Sequence, residues 1–215
     1  MTYDIYIFDL DGTLLDTLDD LAASVNHALA LHGMPLHGTD NIRRFVGNGV
    51  RNLVIRAVPG GQDNPLIESV LASFKTHYSE HNLDRTRPYD GIMQMLHTLK
   101  ENGRKTAVVS NKFDAATKRL CNHFFGDLID AAIGEREGIR RKPAPDTVNE
   151  ALRLLGGDRQ KAVYIGDSDV DIATARNAGL PCISVSWGFR DKDFLLRHGA
   201  ATIVTTADEI TRGAL

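Results

Sequence analysis

The sequence predicts an α/β protein built on a doubly wound, mostly parallel sheet with an all-helical insertion. Three observations lead there. Short apolar runs recur at "YDIYIFD" (3–9), "KTAVVS" (105–110), "KAVYIG" (161–166), "PCISVS" (181–186) and "ATIVT" (201–205), as parallel strands covered on both faces require. Helix-length stretches separate most of them, namely "GIMQMLHTLKENG", "DAATKRLCNHFF", "PDTVNEALRLLGG" and "DVDIATARNAG". Alternation of this length argues for right-handed βαβ crossovers. Third, the rhythm stops between residues 16 and 83, where helical stretches at 15–32, 40–58 and 63–81 follow one another. Gly33, Pro35, Gly38 and Pro59-Gly60-Gly61 punctuate them. The alternation resumes at "RTRPYDG" (85–91). The expected domains are therefore a core of residues 1–15 and 84–215 and a helical insertion of residues 16–83.

Composition narrows the function classes. The chain has 215 residues, 42% hydrophobic and 25% charged, enough for a sizeable core without staples. A net charge of -3 provides no basic field for nucleic acid and no polybasic membrane signal. No apolar run approaches the roughly 20 residues of a membrane span. Cys121 and Cys182 form no CxxC pair and read as reduced thiols. With no basic, apolar leader before the first strand, a cytoplasmic monomer or homodimer is expected.

The chemistry begins at "YIFDLDGTLLDT" (6–17), where two carboxylates lie two residues apart at the end of an apolar strand. Like charges near one another raise each other's pKa, and burial raises both further. Either a cation sits between Asp9 and Asp11, or the pair moves protons, or both. Gly12 permits a tight turn and Thr13 brings a hydroxyl or backbone donor. A hard cation such as magnesium takes oxygen ligands and leaves room for phosphate and water. The plainer reading is a strand end with a capping aspartate, and the motif alone does not separate the two.

Three further pieces lie at strand ends or helix starts. "VVSNK" places Ser110 and the amide of Asn111 at a strand-to-helix junction, where donors hold anions or simply cap a helix. "RRKPAPD" puts Lys142 before a helix start, a place the macrodipole disfavours for a cation unless an anion partners it. "VYIGDSDVDIATARNAG" carries Asp167 at a strand mouth, with Asp171 four residues on and able to share its side. Asp169 is out of phase with both. Ligands of doubly wound sheets bind beyond the carboxyl ends of the strands, where Asp9, Ser110 and Asp167 converge.

Together and in this order, "DLDGTLLDT", "SN", the Lys of "KPAPD" and "GDSDVD" closely resemble the haloacid dehalogenase (HAD) superfamily of phosphotransferases, over essentially the whole chain. The resemblance implies a HAD-like Rossmannoid core with a cap inserted after the first motif. It implies that Asp9 attacks phosphorus and forms an aspartyl-phosphate. Asp11 then protonates the leaving alkoxide and deprotonates the hydrolytic water. Magnesium is held by the Asp9 side chain, the Asp11 backbone carbonyl and Asp167. Ser110, Asn111 and Lys142 bind phosphoryl oxygens, and Asp171 supports the metal shell or Lys142. The second aspartate points to phosphate rather than halide chemistry.

Within the superfamily, "FVGNG" (45–49), "SNK" (110–112) and "SWGF" (186–189) resemble phosphoglycolate phosphatases. Such a substrate adds a carboxylate, for which Thr13, Arg43, Arg44, Asn48, Arg51 and Lys112 are the candidates. Each arginine also reads as solvated helix surface. The first expectation is a magnesium-dependent hydrolase of 2-phosphoglycolate. Its rivals are an inorganic pyrophosphatase, a sugar-phosphate phosphatase, a β-phosphoglucomutase-like mutase and, least favoured, a non-catalytic phosphate-ligand binder. The partner is a small phosphorylated metabolite, with no nucleic acid and no membrane. His77 and His81, four residues apart, read as exposed on a helix, and Trp187 as packing near the site.

Overall fold

The computed structural model describes residues 3–212. The chain runs β1 (Ile5–Phe8), β2 (Leu15–Asp16), α1 (Leu18–Leu31), α2 (Thr39–Phe45), α3 (Val50–Ala57), α4 (Ile67–His81), β3 (Arg87–Pro88), α5 (Ile92–Glu101) and β4 (Lys105–Phe113). It continues through α6 (Asp114–Phe124), β5 (Ala131–Glu135), α7 (Asp146–Leu155), β6 (Ala162–Gly166), α8 (Asp169–Ala178), β7 (Cys182–Val185), α9 (Lys192–Arg197), β8 (Thr202–Val204) and α10 (Asp208–Thr211). Two compact units result: the chain up to Leu15 with the chain from Pro88 onward, and Asp16–Arg87.

The larger unit holds a six-stranded sheet in the order β5-β4-β1-β6-β7-β8, parallel at every pairing. Ile5, Tyr6, Ile7 and Phe8 are all buried, so β1 is covered on both faces. Ile5 and Ile7 join Val109, Ile133, Val148, Leu152 and Tyr164 in one cluster, while Tyr6 and Phe8 point to the opposite face. Winding reverses at β1, whose neighbours β4 and β6 lead away on either side, and the crevice for a ligand opens there.

Two features of this sheet were not expected from the sequence. β5, "AAIGE", is an edge strand that buries only Ile133 and Gly134, too few apolar positions to register as a run. β4 extends past Ser110 to Phe113, with its register to β5 shifting between Val109 and Phe113. Ser110 is therefore inside an irregular strand, and the residue preceding α6 is Phe113.

The smaller unit is helical, with two corrections. The helix expected over 40–58 is two helices, because Gly47, Asn48 and Gly49 adopt φ of 125°, 60° and 84°, values incompatible with a right-handed helix. The stretch expected over 63–81 starts at Ile67, preceded by a single 3-10 turn at Gly61–Asp63. This unit also runs to Arg87 rather than to residue 83. Asp20, 2% exposed, explains the difference. Its carboxylate accepts from the backbone amides of Arg85 (3.0 Å) and Thr86 (2.9 Å) and from the Thr86 hydroxyl (2.8 Å).

α1 packs on α4, and three histidine rings stack between them. His27 to His77 is 4.1 Å and His77 to His81 is 4.2 Å between centroids. Stacked faces do not converge nitrogens on a shared point. His77 is half-buried rather than exposed, and burial with its two neighbouring rings holds its pKa below the ordinary histidine value.

Asp20→Ala strips two buried donors and a part-buried one of their acceptor, so it should cost about 2–4 kcal/mol of stability, measured by denaturant unfolding. A loss within error of zero would show that water replaces the carboxylate there.

Candidate active site

Asp9 follows β1 directly, and its amide still donates to Ile165 O (2.9 Å), extending the β1–β6 ladder by one bond. Asp167 follows Gly166 at the end of β6. The two carboxylates meet at the switch point because β1 and β6 are paired neighbours. Gly12 turns the chain with φ of 87°, and a Cβ there would lie 2.4 Å from Asp167 Oδ2, so the turn requires glycine on both counts. Thr13 is 1% exposed, and its Oγ1 has no protein partner among the described residues.

Lys142, 3% exposed, is the hub. Its Nζ lies 2.7 Å from Asp9 Oδ1 and 2.9 Å from Asp171 Oδ1, and donates to Tyr164 Oη at 3.0 Å. An ammonium has three protons, and here each has an acceptor. Tyr164 Oη in turn donates to Asp171 Oδ1 at 2.9 Å. The other Asp171 oxygen accepts from Ser168 N–H (3.1 Å) and Ser168 Oγ (2.6 Å) at the start of α8. Both Asp171 oxygens are thus engaged, and of the two supports expected of this residue the geometry carries the one to Lys142. Main-chain placement comes from Asn111, whose side chain donates to Lys142 O (3.0 Å) and accepts from Lys142 N–H (2.8 Å).

Burial, then the charge of Asp171, pushes Asp9 up to about 7, with Lys142 pulling against them. Burial, then the charges of Asp171 and Asp9, raises Asp167 well above the carboxylate range. For Lys142, burial works downward, but the carboxylates of Asp171 and Asp9 outweigh it and the ammonium is held more firmly than in water. The Tyr164 hydroxyl is likewise pushed up by burial, then by Asp171.

Asp11 takes a different partner from Asp9. Its Oδ1 lies 2.9 Å from Lys112 Nζ, and Lys112 is 5% exposed. The irregular end of β4 turns the Lys112 side chain inward, onto an aspartate. Ser110, buried, accepts from Lys112 N–H through Oγ at 3.1 Å. Arg43, Arg44, Asn48 and Arg51 lie in the helical unit. Arg44 donates to Asn41, and Arg51 pairs with Glu68. Arg43 is exposed, and Asn48 sits in the left-handed turn between α2 and α3.

Tyr164, Ser168 and Phe189 were missed by sequence reasoning. Phe189 donates its backbone N–H to Asp167 Oδ2 at 2.7 Å. A signal existed for Tyr164, the one residue with a polar group in the run "AVYIG". None existed for a backbone amide.

Asp9, Asp167 and Asp171 bring carboxylate oxygens within 4.8 Å of one another. Lys142 takes one oxygen of Asp9 and Phe189 one of Asp167, so these two aspartates each keep a second oxygen, while both oxygens of Asp171 are engaged. Four acidic side chains (Asp9, Asp11, Asp167, Asp171) face two ammonium groups (Lys112, Lys142), an excess of two acids over their partners. An all-oxygen donor set with that imbalance fits a hard divalent cation.

The match to known proteins agrees with this arrangement. The haloacid dehalogenase-like hydrolase family model matches residues 6–185. A phosphoglycolate phosphatase of Mesorhizobium japonicum is 34% identical over all of this chain and 99% of its own length. One of Rhodobacter capsulatus is 37% identical over 86% of this chain and 84% of its own. A crystal structure of a protein from Lactobacillus delbrueckii subsp. bulgaricus superposes with a TM-score of 0.95 at 39% identity, covering 100% of this chain and 99% of the other. The chain belongs to the haloacid dehalogenase-like hydrolase family. Its place in that family is among enzymes of the phosphatase type.

Without a cation, Asp9 holds its proton more tightly folded than unfolded. Its contribution to stability is complete below the ordinary carboxylate range and is lost as pH rises through about 7. A divalent cation should therefore raise the melting temperature more at about pH 8 than at about pH 5.5, where protons compete for the same oxygens. Calorimetry with and without the ion checks this, and equal shifts at both pH values would count against carboxylate ligation.

Proposed function

We propose that this hydrolase is a magnesium-dependent phosphatase whose substrate is 2-phosphoglycolate, cleaved to glycolate and phosphate through an aspartyl-phosphate on Asp9. The observation that carries the reading is the Lys142–Asp9 pair at 2.7 Å beside the acidic cluster. It sets a carboxylate at the switch point, held by a buried ammonium and beside the oxygens where a cation and phosphate would bind. The choice of substrate rests on relatives named phosphoglycolate phosphatase, one of which aligns along the chain's full length.

Asp9 supplies the carboxylate oxygen that bonds to phosphorus as the bond to the substrate's alkoxide oxygen breaks. Asp11 gives that alkoxide its proton and is left as a base. It then takes a proton from the water that attacks phosphorus, releasing phosphate and restoring Asp9. Ser110 and the Asn111 amide hold phosphoryl oxygens, and Lys142 balances the charge of Asp9 as it transfers. Magnesium, held by Asp9, Asp167 and the Asp11 carbonyl, would neutralise the phosphoryl oxygens. Asp171 acts through Lys142. Arg43, Asn48 and Arg51 of the helical insertion are the groups proposed for the substrate's own carboxylate. Free thiols at Cys121 and Cys182 agree with a cytoplasmic setting.

Asp9→Asn should lower phosphate release by about a thousandfold or more while leaving the fold intact. Near-normal release by this variant would sink the covalent route. Among 2-phosphoglycolate, pyrophosphate, phosphosugars and nucleoside monophosphates, the first should show the highest kcat/KM, by about tenfold or more. A phosphosugar consumed with little free phosphate would mark a mutase instead.

A further inference from the structure

We propose that residues 187–189 form a brace that presents Asp167 to the divalent cation through a single fixed oxygen, and that this brace sets the affinity for the ion. The proposal rests on the reading of Asp9 and Asp167 as metal ligands.

Three contacts built from different chemistry meet at one place. Phe189 N–H donates to Asp167 Oδ2 at 2.7 Å. Trp187 Nε1 donates to Thr13 O at 3.0 Å, tying the turn after Asp9 to a segment 174 residues away. An indole has one donor, and here it is used on the main chain of the turn. Gly188 lies between these two residues. A Cβ at Gly188 would fall 2.3 Å from Gly12 O and 2.4 Å from Asp167 Cβ. A Cβ at Gly12 would fall 2.4 Å from Asp167 Oδ2 and 3.0 Å from the Phe189 ring. The turn at 9–13, the carboxylate of Asp167 and the 187–189 segment therefore interlock with no room for one more carbon.

The consequence is for orientation. Asp167 has two torsions in its side chain, and in solution its oxygens exchange freely. With Oδ2 held by Phe189 and its flanks closed by Gly12 and Gly188, only Oδ1 is left to turn toward Asp9. Ordering that carboxylate during folding removes the ordering cost from metal binding. Trp187 is thus more than packing. It and Gly188 are positioning residues that touch neither substrate nor reacting atoms.

Magnesium binding by titration calorimetry, on the metal-stripped full chain well below its melting temperature, tests the brace directly. Gly188→Ala should weaken the dissociation constant by about tenfold or more. Trp187→Phe, which keeps the ring and removes the donor, should weaken it by about threefold or more. In both, lost turnover should return as magnesium is raised, with KM for substrate little changed. Val204→Ala, a core truncation in β8, should destabilise the fold yet bind magnesium as the wild type does. Unaltered magnesium affinity in both brace variants would overturn the brace alone. Absence of magnesium binding by the wild-type protein would overturn the metal assignment and the brace together.

Discussion

The site depends on one buried ammonium. Lys142 is almost fully enclosed and touches Asp9, Asp171 and Tyr164. Taken alone, any of these charges would be expensive to bury, and Asp9 would keep its proton through neutral pH. Paired, the cost falls to what the geometry can offset, and removing one partner leaves the others uncompensated. That explains why the surroundings of Lys142 are so fully specified. Asn111 fixes its main chain, Tyr164 and Asp171 fix its head group, and Ser168 fixes Asp171.

This charge arrangement needs the sheet to be wound as it is. Asp9 and Asp167 come from adjacent strands whose register is set by the pairing of Phe8 with Ile165. Because winding reverses at β1, the carboxyl ends of β1, β4 and β6 lie side by side at the crevice. A second buried lysine, Lys112, divides the two aspartates of the first motif by giving Asp11 a partner of its own. The two carboxylates are two residues apart in sequence yet sit in distinct electrostatic settings.

Much of this was legible in the sequence, and the boundary follows physical range. Apolar runs identify the buried strands β1, β4 and β6 because complete burial leaves a continuous local signal. Edge strand β5 buries too little to leave one. The break between α2 and α3 was written in "GNG", but apolar periodicity on both sides of it, at Ile42, Leu53 and Val54, suggested one helix. Asp9, Asp11 and Asp167 stand out because charge at a strand mouth is unusual, and Lys142 because a cation ahead of a helix start needs an anion beside it. Lys112 resisted, since an inward-turning lysine after a strand irregularity looks like any other lysine. The Phe189 amide carries no letter at all.

The chain passes between its two units only twice, at Leu15–Asp16 and at Arg87–Pro88, and those two crossings are the paired strands β2 and β3. To the catalytic unit, everything between them is one long loop with its ends already clasped. Loop-closure entropy grows only logarithmically with length, by about 0.6 kcal/mol per doubling. The catalytic sheet is therefore nearly indifferent to the size of what is inserted there. That cassette can be lengthened, shortened or exchanged while Lys142 and its carboxylates stay as they are.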